Sequence, residues 1–322
     1  MSRPVRVLAL APRKYSGTPG MTPAACLDDV IRWWDGHLAN AFALKPDLIV
    51  LPEACDRPNS FPMDKRLEYY EYRGDKVRDH FLELAVKYHA DIAYSAARQL
   101  PDGTYRNSTQ LLSRAGKIDG IYDKNYLVPS EYTEAGIGYG TEAPVFTTDF
   151  GRVGCLICFD IHYDVCKEYE KSRPEVIAFS SNHHGGLLQQ HLCYSTQSYL
   201  VASIPVDHGC ASIVNPVGKI LAESTYRYPN LCYADIDLDY KVLHWDENWS
   251  KLMRAQRELG PNLHICEPDA HLGLLMITCS GDKFTVDDVM REYELETWDH
   301  YYARCVRAHD KGIVEKKPRF DY

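Results

Sequence analysis

The stretch Gly151-Arg-Val-Gly-Cys-Leu-Ile-Cys-Phe-Asp160-Ile-His-Tyr-Asp164 carries an apolar run that stops abruptly at Cys158-Phe159-Asp160. Val153, Leu156 and Ile157, separated only by small Gly154 and Cys155, are near-continuously apolar rather than alternating, the pattern of a strand covered on both faces. The chain then turns polar at Asp160 and His162, and a helical pattern begins at Asp164. A thiol placed where a buried strand bends toward a helix is held by rigid backbone on one side and offered to a cleft on the other. Cys158 is therefore the candidate nucleophile.

Working outward, Leu48-Ile-Val-Leu-Pro52-Glu53 repeats the arrangement: a buried strand, stopped by proline, with a carboxylate at its carboxyl end. Lys117-Ile-Asp-Gly-Ile-Tyr122 reads as a further strand, followed by Asp123-Lys124 and a loop holding Glu131, Glu134 and Gly140. Other strands are expected at Val5–Leu10, Asp91–Ala97, Tyr105–Leu112, Glu175–Asn182, Ser203–Asp207, Cys210–Val214 and Leu231–Asp237, with a turn at Pro101-Asp-Gly103. Helices are expected from Ala24 to about Leu44 after a Thr22-Pro23 start, over Asp75–His89, and from Gln189 to Val201. Asn59 to Arg73 reads as a loop or short helix whose aromatics, Phe61, Tyr69, Tyr70 and Tyr72, pack on a neighbouring helix. Alternating strands and helices with interposed hairpins give an α/β sheet protein covered by helices.

The chain has 322 residues and is 45% hydrophobic, enough for a large core. One domain is expected over residues 1–240. An extension over 241–322, charged and aromatic without clear periodicity, is expected to pack on the core or on another subunit. A formal net charge of −9 and the lack of a basic run argue against nucleic acid as a partner. The N-terminal apolar run is too short for a signal peptide, and no stretch approaches the ~20 apolar residues of a membrane span. A cytoplasmic protein is the expectation. The eleven cysteines are scattered, so most are expected to be reduced core residues. Cys155 and Cys158 form a Cys-x-x-Cys, but three residues apart on a strand they face opposite ways, which disfavours a shared metal or disulfide.

A carboxylate, an ammonium and a thiol thus stand at strand ends of one domain. A cysteine nucleophile needs a base, and Glu53 can serve if burial among apolar neighbours raises its pKa. Lys124 beside the pair favours the thiolate and neutralises the oxyanion of a tetrahedral intermediate. Each alone has a plainer reading, as loop charge, surface cation or core thiol; their shared context is what points to acyl transfer. Asn182 and His183, on a loop after a buried strand, and His162, just beyond the nucleophile turn, are expected at the mouth of the same cleft.

Three blocks, Leu48-Ile-Val-Leu-Pro-Glu53, Tyr122-Asp-Lys124-Asn-Tyr-Leu and Gly151-Arg-Val-Gly-Cys-Leu-Ile-Cys158-Phe-Asp160, resemble in that order the signature blocks of the nitrilase, or carbon-nitrogen hydrolase, superfamily. The resemblance runs from about Val5 to Asp237. It implies a four-layer α-β-β-α sandwich, with Glu53 as general base, Lys124 as oxyanion donor, Cys158 as nucleophile and the Phe159 N–H as second donor. It also implies a second glutamate behind the lysine, for which Glu131 and Glu134 compete. Glu131 is favoured because it falls closer to Lys124. The activity implied is hydrolysis of an amide or N-carbamoyl group through a thioester, with nitrile hydrolysis, acyl transfer or a non-catalytic binding role as alternatives. No cofactor or metal is called for, the substrate is a small amide, carbamoyl compound or nitrile, and homo-oligomers are common among such proteins.

Overall fold

The structure, a computed structural model, describes residues 2–225, 230–266 and 273–313. The chain divides into two compact units, Pro4–Leu238 and a second made of Met1–Arg3 with Asp239–Tyr322. The larger unit begins β1 (Pro4–Leu10), α1 (Pro23–Phe42), β2 (Leu48–Val50), α2 (Met63–Arg73), α3 (Lys76–Tyr88), β3 (Asp91–Gln99), β4 (Tyr105–Leu112) and β5 (Ile118–Asp123). Short α4 (Pro129–Thr133), β6 (Ile137–Gly138), β7 (Val145–Thr147) and β8 (Arg152–Ile157) follow, then a 3-10 turn at Cys158–His162. It continues with α5 (Val165–Ser172), β9 (Val176–Ser180), α6 (Leu187–Thr196), β10 (Tyr199–Ser203), β11 (Ser212–Val214), β12 (Ile220–Glu223) and β13 (Leu231–Asp237).

Two sheets result, ordered β13-β1-β2-β3-β4-β5, with β6 beside β4, and β12-β11-β10-β9-β8-β7. The central strands β1, β2 and β3, and likewise β8, β9 and β10, run parallel, while hairpins supply antiparallel flanks. The sheets face one another, with β1 and β2 against β10, β3 against β9 and β4 against β8. The outer face of the first sheet is covered by α1, α2 and α3, whose Leu27, Val30, Trp34, Leu38, Tyr69 and Phe81 share one core with Leu8, Ile49, Ile92 and Tyr94. On the second sheet α6 lies against β10 and β11, and Tyr169 of α5 donates from its hydroxyl to the Cys155 carbonyl at 2.7 Å. This mixed α/β, helix-sheet-sheet-helix stack explains why the central strands read as apolar runs. With a helix on one side and a sheet on the other, all five residues of β9 are buried.

Local chemistry sets the element ends. Thr22 caps α1, its hydroxyl oxygen accepting from the Ala25 N–H at 3.2 Å, and Pro23 opens the helix where no N–H is needed. Asn59–Arg73, read as loop or short helix, holds the α2 helix, with Phe61, Tyr69 and Tyr70 buried and Tyr72 exposed. The helix expected from Gln189 to Val201 stops at Thr196. Gln197 turns to φ 52°, and Tyr199–Ser203, wholly buried, pairs parallel with β9. Periodicity does not separate a short buried strand from the end of a buried helix. The expected strand Ser203–Asp207 is likewise replaced by the end of β10 and a loop containing Pro205, which has no N–H for a ladder.

The smaller unit is more regular than its sequence suggested. It contains β14 (Tyr240–His244), α7 (Trp249–Leu259), β15 (Leu263–Cys266), β16 (Leu274–Cys279), α8 (Val286–Glu292) and α9 (Trp298–Asp310). Its strands form a sheet in the order β14-β16-β15 over a core that includes Leu243, Leu252, Leu275, Ile277, Val286 and Val289. The pattern was hidden because the strands are short and the helices carry narrow apolar faces, Leu252 and Ala255 being the buried residues of α7. Residues 267–272 and 314–322 of the expected extension lie outside the described residues. Among the described residues no helix is long and apolar enough to cross a membrane.

Candidate active site

Three strand ends converge on one point of the larger unit. After β2, the Leu51 N–H makes a last bond to the Ala93 carbonyl at 3.1 Å, Pro52 has none to give, and the chain turns at Glu53. That turn is pinned from several sides. The Cys55 N–H donates to Ser95 O at 2.9 Å, the Trp34 indole donates to Cys55 O at 3.0 Å, and Asp56 accepts from Arg73 Nη1 at 2.6 Å and the Tyr94 hydroxyl at 2.5 Å. Lys124 follows β5, its N–H donating to Asn107 O and its carbonyl accepting from the Gly140 N–H, both at 2.8 Å. Only glycine fits at 140, because a Cβ there would stand 2.0 Å from the Asp123 carbonyl oxygen. Cys158 opens the 3-10 turn after β8 with φ 49°, a left-handed conformation costing about 1–2 kcal/mol outside glycine.

Asp160 holds the nucleophile turn to the lysine loop. Its Oδ2 accepts from the Tyr122 hydroxyl at 2.7 Å and the Ile157 N–H at 3.1 Å, while Oδ1 accepts from the N–H groups of Asn125 at 3.2 Å and Tyr126 at 2.8 Å. The side chain is fully buried, and burial pushes its carboxyl up to about 6 despite these donors.

The centre is a charge network. Lys124 Nζ donates to Glu53 Oε1 and to Glu131 Oε2, both at 2.8 Å. Asn107 Nδ2 bridges the same carboxylates, at 2.9 Å to Glu53 Oε1 and 2.8 Å to Glu131 Oε1. Asn182 Nδ2 donates to Glu53 Oε2 at 2.8 Å, and the Val128 N–H to Glu131 Oε2 at 2.9 Å. Glu134, the other candidate for the second glutamate, is exposed, and the glutamate bonded to Lys124 is Glu131. The Lys124 side chain is 1% exposed, and burying an ammonium is tolerable only because two carboxylates face it.

Protonation follows from this arrangement. Burial pulls the Lys124 ammonium toward neutrality, but Glu53 and Glu131 more than offset it and keep it charged. Burial by itself raises Glu53, as its sequence context suggested. The Lys124 charge and hydrogen bond, the Arg57 charge and the Asn107 amide prevail and hold it below the ordinary carboxylate value. The Cys158 thiol is pushed up to about 12, by burial first and by the Glu53 charge second, against the pull of Lys124, the Asn182 N–H and the Ser181 hydroxyl. The resting site is thus a thiol beside an ionised carboxylate, and an acceptor is needed before the sulfur can attack.

The remaining expected residues surround this centre. The Phe159 ring meets His162 at 5.2 Å between centroids, and His162 stacks on His183 at 5.4 Å. His183 is exposed, its backbone N–H donating to Ser181 Oγ at 2.8 Å. His184 points to another neighbour, Cys210 Sγ, at 3.5 Å. Cys155 and Cys158 are both free thiols, and among the described residues no group of His, Cys, Asp and Glu is arranged to hold a metal ion.

Asn107 was missed by sequence reasoning, as were Lys14 and Arg57, whose charges act on Glu53 or Cys158. Asn107 had a signal: Asn107-Ser-Thr-Gln110 is a polar run inside a strand, and all four are buried, an arrangement that requires polar partners. Lys14 and Arg57 had none, since isolated cations in loops read as surface charge.

Comparison with known proteins agrees with this geometry. A family model described as carbon-nitrogen hydrolase matches residues 17–241. A probable nitrilase of Schizosaccharomyces pombe is 23% identical over 172 residues, 48% of this chain, and the match spans only 62% of that relative. An omega-amidase of Danio rerio is 26% identical over 216 residues, 60% of this chain and 77% of the relative. Among solved structures, Nit3 of Saccharomyces cerevisiae, a member of branch 10 of the nitrilase superfamily, superposes with a TM-score of 0.61 at 17% identity, covering 80% of this chain and 95% of its own. The amidase from Nesterenkonia sp. AN1, solved with the acetamide moiety of fluoroacetamide added covalently at its active site cysteine, gives 0.61 at 16% identity, covering 74% and 91%. With the paired sheets, the ordered blocks around Glu53, Lys124 and Cys158 and a family match over most of its length, this chain belongs to the carbon-nitrogen hydrolase family.

Proposed function

We propose that the protein is an amidase that opens a small, non-peptide amide or N-carbamoyl group through a thioester on Cys158. The observation that carries this reading is the Lys124 ammonium held at 2.8 Å by both Glu53 and Glu131, at strand ends that also present Cys158. Glu53 takes the Cys158 proton as sulfur attacks the carbonyl carbon. The Lys124 ammonium and the Phe159 N–H, which lies in the first turn of its 3-10 helix and has no intrahelical acceptor, stabilise the oxyanion. Glu53 passes the proton to the departing nitrogen, the C–N bond breaks, and a thioester remains. The same carboxylate then deprotonates a water that attacks the thioester, and the proton returns to sulfur as the acid leaves. Glu131 and Asn107 hold Lys124 and Glu53 in register throughout.

An amide is preferred to a nitrile on one feature. Asn107 Oδ1 and Asn182 Oδ1 are buried and without a partner, while the Nδ2 of each donates to Glu53. Two unpaired acceptors beside the base suit the N–H groups of an amide, and a nitrile has none to offer. The acetamide moiety held covalently at the active site cysteine of the Nesterenkonia amidase is an alkyl adduct with its amide intact, and it supports a cysteine nucleophile in this family. The test is ammonia release by wild type and Cys158→Ala across simple amides, N-carbamoyl amino acids and nitriles. Release from amides or carbamoyl compounds by the wild type alone is expected; equal release by the variant, or turnover of nitriles only, refutes the reading.

A further inference from the structure

Beside Asn107 and Glu131 opens a cavity of about 50 Å³ lined also by Arg57, Arg66, Met63 and Tyr70. Two guanidinium groups line a space that adjoins the carboxylate–lysine network, and neither is used by the chemistry above. Arg57 Nε donates to the Asn59 side-chain oxygen at 3.2 Å and Arg66 Nη2 to the Asn59 carbonyl at 3.0 Å, both neutral acceptors. Arg66 Nε is buried with no partner. Lys14 adds a third cation close enough to Arg57, Glu53 and Cys158 to feel their charges. Among the described residues no carboxylate stands within ion-pairing distance of Lys14, Arg57 or Arg66. Glu53 and Glu131 are committed to Lys124 and Asp207 to Arg13 at 3.3 Å, and exposed Glu134, whose charge reaches Arg66, makes no ion pair with it.

Packing cations together without a counterion is costly, and the strain is visible. Burial, and after it the Arg57 charge, drives both Lys14 and Arg66 toward losing their protons. Counting Glu53, Glu131 and Glu134 against Lys124, Lys14, Arg57 and Arg66 still leaves the region net positive while Cys158 is a thiol. The cavity has room for a few water-sized groups, about the bulk of one carboxylate on a short stem.

We infer that the cavity is a subsite for an anionic end of the substrate, so that the amide or N-carbamoyl compound opened at Cys158 carries a carboxylate a few bonds away, received by Arg57 and Arg66. This rests on the amidase reading above. A guanidinium fork matches a carboxylate in two-point fashion, and the unpaired Arg66 Nε is a donor waiting for such an acceptor.

The test compares the half-amide of succinic acid with its methyl ester, of similar length and uncharged, on wild type, Arg57→Gln, Arg66→Gln and the double variant. The readout is the ratio of kcat/KM for acid over ester. Wild type is expected to favour the acid. Each substitution should lower the ratio about 10- to 100-fold, the worth of one hydrogen bond to a charged group. Circular dichroism and thermal melts report whether each variant folds. Binding of succinate to Cys158→Ala, measured by calorimetry with and without Arg57→Gln, supplies a readout independent of turnover. A ratio unchanged while both substrates slow together overturns the subsite and leaves the amidase reading standing. If the wild type turns over no amide, the amidase reading fails, and succinate binding then decides: binding weakened by Arg57→Gln supports the subsite, and no binding overturns it.

Discussion

Asp160→Asn is the perturbation that most directly probes how this site is held. The amide oxygen can still accept from the Asn125 and Tyr126 N–H groups, which leaves its NH2 facing the Ile157 N–H and the Tyr122 hydroxyl. The hydroxyl can rotate to accept, but the Ile157 N–H meets a donor, at a cost of about 1–3 kcal/mol. An opposing effect depends on pH. Burial holds the Asp160 carboxyl at about 6 in the folded chain against an ordinary 3.8. The folded protein therefore keeps a proton that the unfolded chain releases, and Asp160 contributes most to stability below 3.8. That contribution falls as pH rises toward 6 and is flat above. The full loss is about 3 kcal/mol, about half of it between pH 5 and pH 7. Asparagine has no proton to lose, so the stability of the variant relative to wild type should improve by about 1–2 kcal/mol over that interval. Urea unfolding of both proteins at pH 5, 6, 7 and 8 reads this difference directly, because other titrating groups cancel. Two curves separated by a constant amount at every pH would refute the reasoning. The variant should also lose kcat more than KM, since the Cys158 turn and the lysine loop share this anchor.

Two further predictions test the charge network. Glu131→Gln should cost at least about 100-fold in kcat/KM by removing a carboxylate from buried Lys124, whereas Glu134→Gln, at an exposed position, should stay within about 2-fold; equal effects in steady-state assays would contradict the assignment. Glu53→Gln should abolish amide hydrolysis yet speed alkylation of Cys158 at pH 8, because the Glu53 charge raises the thiol pKa; slower alkylation than wild type would show that Glu53 does not oppose the thiolate.

What could be read from the chain alone was the set of strands that end at the site. The runs at Val5–Leu10, Leu48–Leu51, Val153–Ile157 and Val176–Ser180 are apolar because each lies in a sheet covered on both faces, so burial writes itself into composition. The polar residue at which each run breaks stood out for the same reason, and Glu53, Lys124 and Cys158 were visible as strand ends. The α6–β10 boundary was not visible, because Tyr199–Ser203 is apolar in either conformation and only pairing with β9 makes it a strand. The smaller unit hid its sheet in short strands, of which β14 meets its partner β16 only after an intervening helix and strand.

Tertiary structure alone decided the partnerships. Glu53 meets Asn107 across 54 positions, Lys124 across 71 and Asn182 across 129, and no local pattern encodes contacts at such separation. It set Glu131 rather than Glu134 on Lys124, because α4 turns the first toward the lysine and leaves the second exposed. It lowered Glu53, where burial alone would have raised it, because the Lys124 ammonium at 2.8 Å, the Arg57 charge and the Asn107 amide together outweigh desolvation. It also brought Arg57 and Arg66 to one cavity. A sequence shows which residues leave water and where a strand must stop; which charges then face one another depends on how the strand ends are brought together, and that is a property of the folded chain.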